Sequence, residues 1–477
     1  MIVCNAGLNT HDGRSNASFS YPPFPLPCFT APRNQNKREK RVQDLTFAVL
    51  NHGCKLNQYE GEAVAQGFID AGFRAVQWTV TAPPDVAIVN TCTVTEKSDR
   101  KSRHTIHKSS RYKPKGGILV VTGCYAETNP EELSKIDGVD LVVGAKEKPR
   151  IVDLVKSRFE KVPIHFKSPA SPFCYKDPEY TQRSRAFVKV QDGCDMRCAY
   201  CKVPLARGRS VSRDSNEIVS SVARAVTNGY SEVVLTGINI GDYRYGGKRL
   251  LHLITLLLKS TGDIRIRLSS VEPAFFEKGL FDIMGEERVT PHFHIPLQSG
   301  SDRILKLMNR SYTVNDYMEI VEGIKRVRPE SHLATDLIIG FPTENETDFN
   351  STVDLVESVQ FASVHVFRYS SRTGTSGAKL PDNVAYEVKS RRSKKLIELG
   401  RRLNREYRAR FIGRQRKTVL EAHGNVLRGV TDNYIRVTIE GKEQLAREQV
   451  PRRLVSALIT RIEDDVTYAR IPQSPAG

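Results

Sequence analysis

The run Asp192-Gly193-Cys194-Asp195-Met196-Arg197-Cys198-Ala199-Tyr200-Cys201 places three cysteines on one short loop, and no other stretch narrows the architecture so far. Thiolates are the usual ligands of iron–sulfur clusters, and a cubane normally takes four. Three ligands leave one iron without a protein partner, able to hold something else. A zinc ion and a disulfide are the plainer readings. Structural zinc sites draw on paired C-x-x-C knuckles or nearby histidines, and neither follows here.

A chain of 477 residues, 39% of them hydrophobic, exceeds one ordinary domain; about two to four are expected. No apolar run is long enough to span a membrane. Lys+Arg 72 against Asp+Glu 54 gives a net charge of +18. That balance points to a polyanionic partner, nucleic acid first; a basic soluble surface is the plainer alternative. The cysteines are Cys4, Cys28, Cys54, Cys92, Cys124, Cys174, Cys194, Cys198 and Cys201. With no secretory signal before them, a reducing compartment, the cytoplasm, and metal ligation outrank disulfides. Residues 1–43 carry a Pro-rich patch and a basic run but no apolar segment, and read as a disordered extension with Cys4 and Cys28 as free thiols.

From Leu45 onward strand and helix patterns alternate. Strands are expected at Thr46–Leu50, Val86–Val89, Ile118–Val121 and Leu141–Gly144, and a helix from Asn57 to Ala71. The alternation predicts a parallel sheet with helices on its faces, over a domain of residues 44–155. Cys54, Cys92 and Cys124 each sit just after a strand. In a parallel sheet the strand C-termini share one edge, so three cysteines distant in sequence meet there. Any one alone would read as a core filler; three at matching ends predict a second metal site. Residues 150–180, with Pro163, Pro169, Pro172 and Pro178, read as a linker in which Cys174 is a bystander.

A longer alternation follows over 180–410, with strands Phe187–Val190, Glu232–Leu235, Ile264–Leu268, His292–Ile295, Leu333–Ile338 and Ser363–Phe367. Six β/α units predict a partial (β/α)6 barrel, whose site lies at the strand C-termini; the Cys194 loop follows the first strand on that edge. Asp214 and Glu217 have capping-box spacing for a helix that stops at Gly229. Polar or glycine-rich turns containing Gly237, Asn239, Ser269 and Gln298 close other strands and support one binding mouth. Lys389 to Lys417 is dense in Lys and Arg, including Arg401, Arg402, Arg405 and Arg408. It predicts a phosphate-contacting helix, a solvated face being the plainer reading. In 411–475 the period changes to alternating strands, with Gly424, Gly429 and Gly441 at turns, as in a small antiparallel β-barrel of OB type.

Four words carry a resemblance: Gly53-Cys54-Lys55-Leu56-Asn57-Gln58-Tyr59-Glu60, Asn90-Thr91-Cys92-Thr93-Val94-Thr95, Thr122-Gly123-Cys124-Tyr125-Ala126 and the Cys194 loop with Tyr200. Pro296-Leu297-Gln298-Ser299-Gly300-Ser301 and Arg372-Thr373-Gly374-Thr375 add to it. Over roughly 45–471 the chain resembles the methylthiotransferases among the radical S-adenosylmethionine (SAM) enzymes; the stretch before Leu45 matches nothing in them. The resemblance implies an α/β chain: an N-terminal parallel-sheet domain, a central radical-SAM barrel and a C-terminal TRAM barrel. It implies two 4Fe-4S clusters, on Cys54, Cys92 and Cys124 and on Cys194, Cys198 and Cys201. SAM would serve as radical source and methyl donor, with Tyr200, Gly237, Asn239, Ser269 and Gln298 as cofactor-binding residues. The Cys54 word looks most like the branch acting on N6-threonylcarbamoyladenosine beside the tRNA anticodon. Alternatives are the branches acting on N6-isopentenyladenosine or a ribosomal protein and, in another class, a non-catalytic iron–sulfur RNA-binding protein. Replacing an unactivated C–H bond needs a radical cofactor, hence a low-potential electron donor and a sulfur donor as further partners.

Overall fold

The computed structural model describes residues 42–162, 171–179, 183–423, 426–441 and 452–472. The extension as far as residue 41, with Cys4 and Cys28, lies outside the described residues, as do Pro163, Pro169 and Gly424.

The first sheet is wholly parallel, in the order Arg74–Ala75, Thr46–Asn51, Val86–Thr91, Ile118–Gly123, Leu141–Val143. Val86–Thr91 and Ile118–Gly123 are buried at every position, as unbroken apolar runs require when helices cover both faces. Phe47, Ile88 and Val120 pack on one face against helices Lys55–Asp70 and Ile151–Glu160. Val89, Leu119 and Val121 pack on the other with Ile106 and Tyr125. Helix Ile151–Glu160 corrects the expected linker from 150: Ile151, Leu154 and Val155 lie at helical spacing and join this core.

The central unit has six parallel strands in two arcs. Arg265–Leu268, Glu232–Thr236 and Ala186–Lys189 form one; His292–His294, His332–Ile339 and Ser363–Arg368 form the other. Parallel bridges Ile266–Val289 and Ser270–His294 join them. Among the described residues the first and last strands do not pair, so the barrel is open on that side, where helix Lys55–Asp70 docks against Ala186–Lys189. Val233, Leu235, Ile266, Leu268, Phe293, Leu333 and Leu337 pack outward under the helices. Strand alternation therefore turns Glu232, Arg265, Arg267, His292, His294, His332 and Asp336 inward. The interior is polar, a feature the patterns R-I-R-L and H-F-H carry in the sequence. Helix Ser215–Thr227 starts at Asp214, whose side chain accepts from Asn216 N; Glu217 pairs with Arg213 instead of closing a capping box.

Helix Tyr386–Ala409 leads to a closed five-stranded barrel in the order Gln415–His423, Val426–Thr431, Arg436–Ile439, Val466–Arg470, Leu454–Glu463. An odd number of strands cannot alternate direction all the way round, and Arg436–Ile439 runs parallel to Val466–Arg470, so the barrel is not purely antiparallel. Gly429 lies within a strand opposite Leu420, not in a turn; a side chain there would strike Thr418.

Candidate active site

Cys54 stands at the N-cap of helix Lys55–Asp70, Cys92 directly follows strand Val86–Thr91, and Cys124 directly follows Ile118–Gly123. The three share one sheet edge, Cys92 and Cys124 buried and Cys54 exposed. A glycine precedes Cys54, Cys124 and Cys194: Gly53, Gly123 and Gly193 have φ of 96°, 99° and 71°. A Cβ on Gly53 would lie 2.7 Å from Cys92 Cβ, and one on Gly193 would strike Arg209 O. Only glycine lets the backbone reverse there with the next thiol turned inward.

Burial pushes the Cys92 thiol up to about 12 and Cys124 upward too, with the neighbouring thiols adding to it at Cys92. In the Cys194 loop burial takes Cys194 to about 11 and Cys201 to about 12. Thiols crowded and buried this way become ligands only when a bound cation replaces their protons. Among the described residues, only His294, Asp336 and His365 bring three candidate ligand atoms within 4.8 Å of one another. Thiolates on a single zinc ion would lie closer than that, about 4 Å apart. Neither cysteine triad brings its three sulfurs that close together.

The Cys194 loop is held rigidly. Ala199 N donates to Met308 O at 2.9 Å, Gly377 N to Ala199 O at 2.6 Å, and Asn309 Nδ2 to Arg197 O at 2.8 Å. Arg310 Nη1 donates to Cys198 Sγ at 3.0 Å and Tyr200 Oη at 3.4 Å, and Nη2 to Glu272. Tyr200 thus supports the loop.

Gln191 Oε1 accepts from Ile238 N and Asn239 N, both at 3.0 Å, and a Cβ on Gly237 would lie 2.9 Å from the same oxygen. Asn239 Nδ2, Ser269 Oγ and Thr236 Oγ1 are buried without a protein partner. Orphaned polar atoms at the ends of adjacent strands are groups that a polar ligand would satisfy. Gln298, at φ 71°, is fixed by its N–H to Asp336 O at 2.8 Å. Asp336 accepts from His294 and His365, 3.0 Å each; against the cost of burial these bonds hold its carboxyl below the usual range.

One buried network ties the two triads together. Arg207 Nη1 donates to Glu60 Oε1 at 2.9 Å and Asp192 Oδ1 at 3.0 Å, and Nη2 to Asn57 Oδ1 at 2.8 Å. Lys148 and Lys189 reach Glu60 at 2.5 and 2.7 Å. Burial opposes ionisation, yet Arg207, Lys148 and Lys189 hold Glu60 well below the carboxylate range. Asn57 and Glu60 belong to the Cys54 word, while Asp192 and Arg207 flank the Cys194 loop. A second tie is Arg372, which donates to Thr93 O at 2.9 Å and Asp99 Oδ2 at 2.6 Å, beside Cys92. Sequence reasoning quoted these words without seeing the pairing, because partners so distant in sequence share no local signal.

The basic helix is partly occupied at home. Arg408 is buried and donates to Asp465 O and Thr467 Oγ1, both at 3.0 Å, joining helix to small barrel. Arg402 pairs with Glu357 at 2.6 Å and Glu406 at 3.3 Å. Arg401 and Arg405 are exposed.

Six parallel strands around a polar interior, with a three-cysteine loop beyond the first, define a radical SAM enzyme. Residues 188–356 match the Radical SAM superfamily, and 46–144 match "Uncharacterized protein family UPF0004". A cobalamin-containing radical SAM methyltransferase, TsrM of Kitasatospora setae, shares the fold with a TM-score of 0.51 at 17% identity, over 68% of this chain and 74% of that one. The chain is 35% identical over 447 residues to "Threonylcarbamoyladenosine tRNA methylthiotransferase MtaB" of Bacillus subtilis, covering 88% of this chain and 98% of that one. The protein of that name from Aquifex aeolicus is 37% identical over 405 residues, 83% and 97% of the two chains. "tRNA-2-methylthio-N(6)-dimethylallyladenosine synthase" of Thermotoga petrophila is 35% identical over 387 residues, 79% and 86%. The chain belongs to the methylthiotransferase family and is an enzyme of the MtaB type. No helix among the described residues is long and apolar enough to cross a membrane.

Proposed function

We propose that the protein methylthiolates C2 of N6-threonylcarbamoyladenosine next to the anticodon of tRNA, in the cytoplasm, with two 4Fe-4S clusters and SAM. The observation that carries this reading is the pairing of two three-cysteine sites, each short of a fourth ligand, through one buried network. A non-catalytic iron–sulfur protein would need neither the missing ligands nor the pairing. The names of the B. subtilis and A. aeolicus relatives supply the substrate.

When bound, the clusters and SAM supply one-electron chemistry, sulfur and a methyl group, fed by a low-potential electron donor and a sulfur donor. The chain's own residues do the rest. Cys54, Cys92 and Cys124 would hold one cluster; Cys194, Cys198 and Cys201 the other, with Arg310 fixing the Cys198 sulfur. Asn239 and Ser269 offer unpaired polar atoms to SAM, and Gln191 keeps the Gly237–Asn239 turn in place. Helix Lys55–Asp70 docks on the barrel's open side against Ala186–Lys189 and would help keep water from it. Arg401 and Arg405 face solvent and would contact tRNA phosphates.

Mass spectrometry of tRNA nucleosides from a deletion strain tests the reading. The 2-methylthio form of N6-threonylcarbamoyladenosine should vanish and its precursor accumulate. Loss of the methylthio form of isopentenyladenosine instead would move the enzyme to the sibling branch.

A further inference from the structure

The floor of the central barrel carries more positive charge than its own contacts use. Glu232 accepts from Arg265 Nη2 at 2.7 Å and from Arg267 Nε at 2.6 Å. Arg185 is shared between Glu232 at 3.9 Å and Glu421 at 3.3 Å. Below them Tyr434 closes the barrel, its ring centroid 4.0 Å from that of His292 and 5.0 Å from Arg267 Cζ. Lys55 enters from the open side. Its Nζ lies 5.8 Å from the Tyr434 ring centroid and makes no hydrogen bond or ion pair among the described residues. Arg267 is wholly buried, and its Nη1 has no partner. A buried guanidinium edge without a partner and a half-buried amine without a hydrogen bond or ion pair form a site that an anion would satisfy.

Lys55 directly follows Cys54, so the helix start that carries one cysteine of the Cys54, Cys92 and Cys124 triad also carries this amine. From the floor the inward residues continue through His292 and His294 to Asp336, which neighbours Glu272 and the Cys194 loop. Inward-turned polar side chains thus line the barrel from the charged floor to the mouth. The substrates named for the relatives differ in one charge: the threonylcarbamoyl tail ends in a carboxylate, and the dimethylallyl tail carries none. The tail leaves the adenine at C6, so anchoring its end fixes the base without covering C2.

We infer that Lys55 and the free edge of Arg267 bind the carboxylate of the threonylcarbamoyl tail and so select this base over one with an apolar tail. The inference rests on the substrate reading above. A planar guanidinium edge and a point ammonium are the donors a carboxylate takes in a desolvated site.

The test measures anaerobic binding of anticodon stem-loop RNAs to cluster-loaded protein. The RNAs carry N6-threonylcarbamoyladenosine, its methyl ester, isopentenyladenosine or plain adenosine. Wild type should bind the free acid more tightly than the ester. Lys55→Gln should weaken the free acid about ten- to a hundredfold and leave the ester and plain adenosine unchanged. Lys55→Arg should keep most of the preference. Wild-type iron content marks the variants as intact, and the acid-against-ester comparison on wild type stands without them. Equal binding of acid and ester, or an undiminished preference in Lys55→Gln, would overturn the inference while leaving the substrate reading in place. Tighter wild-type binding of the isopentenyl RNA than of the free acid would overturn both.

Discussion

The two cysteine triads are assembled by opposite routes. Cys194, Cys198 and Cys201 lie on one loop, and their spacing is set by local backbone that Met308, Asn309 and Gly377 pin from outside. Cys54, Cys92 and Cys124 are brought together by a sheet, with strand register doing the work that spacing does in the loop. A local site depends on its turn and its anchors. An assembled site depends on the stability of a whole domain. The shared Glu60–Arg207 network joins the segments that carry the two triads.

The largest effect should come from separating the sites chemically. Cys198→Ala and Cys92→Ala should each remove about half of roughly eight iron per chain, measured after anaerobic reconstitution. Cys198→Ala should abolish SAM cleavage. Cys92→Ala should keep some cleavage while stopping sulfur insertion. Zinc in place of iron, or methylthiolation by both variants, would break the comparison.

Next in size is the network between them. Glu60→Gln leaves Lys189 and Arg207 to Asp192 and takes from Lys148 its acid partner, and should cost about 3–5 kcal/mol in chemical denaturation. Both triads should lose iron together. A loss confined to one triad would show that the sites are independent.

The same network gives a pH test. Glu60 and Asp192 are held below their ordinary values of 4.5 and 3.8. A depressed carboxylate stabilises the fold above its unfolded value and stops doing so as pH falls through its folded value. Melting temperature should therefore drop on acidification below the ordinary carboxylate range. Glu60→Gln should flatten that acid limb; an unchanged limb would exclude the network as its source.

Gly193→Ala and Gly123→Ala sharpen the contrast, the second at about 1–3 kcal/mol. Gly193→Ala should reduce iron at the loop site with little change in melting. Gly123→Ala, packed on strand Val86–Thr91, should lower melting and iron together. The smallest effect lies outside both sites. Arg401→Ala and Arg405→Ala should each reduce the salt slope of tRNA binding by about one and leave iron content unchanged.

Residue types and local order settled a good deal. The Cys194 spacing put three thiols on one loop, unbroken apolar runs named parallel strands, and glycines before Cys54, Cys124 and Cys194 stood where the backbone reverses. These are consequences of chain stereochemistry and of side chains a few residues apart. Helix Ile151–Glu160 escaped because prolines farther along overshadowed a short periodic run. Other features exist only in three dimensions. Arg207 meets Glu60, Arg372 meets Asp99, Lys55 enters the barrel floor, and Arg408 turns into the joint instead of toward solvent. A charge in sequence does not say what it faces. Burial and pairing are fixed when the sheet edge, the open barrel and the small barrel close on one another, because desolvation and partner distance decide what each charge does.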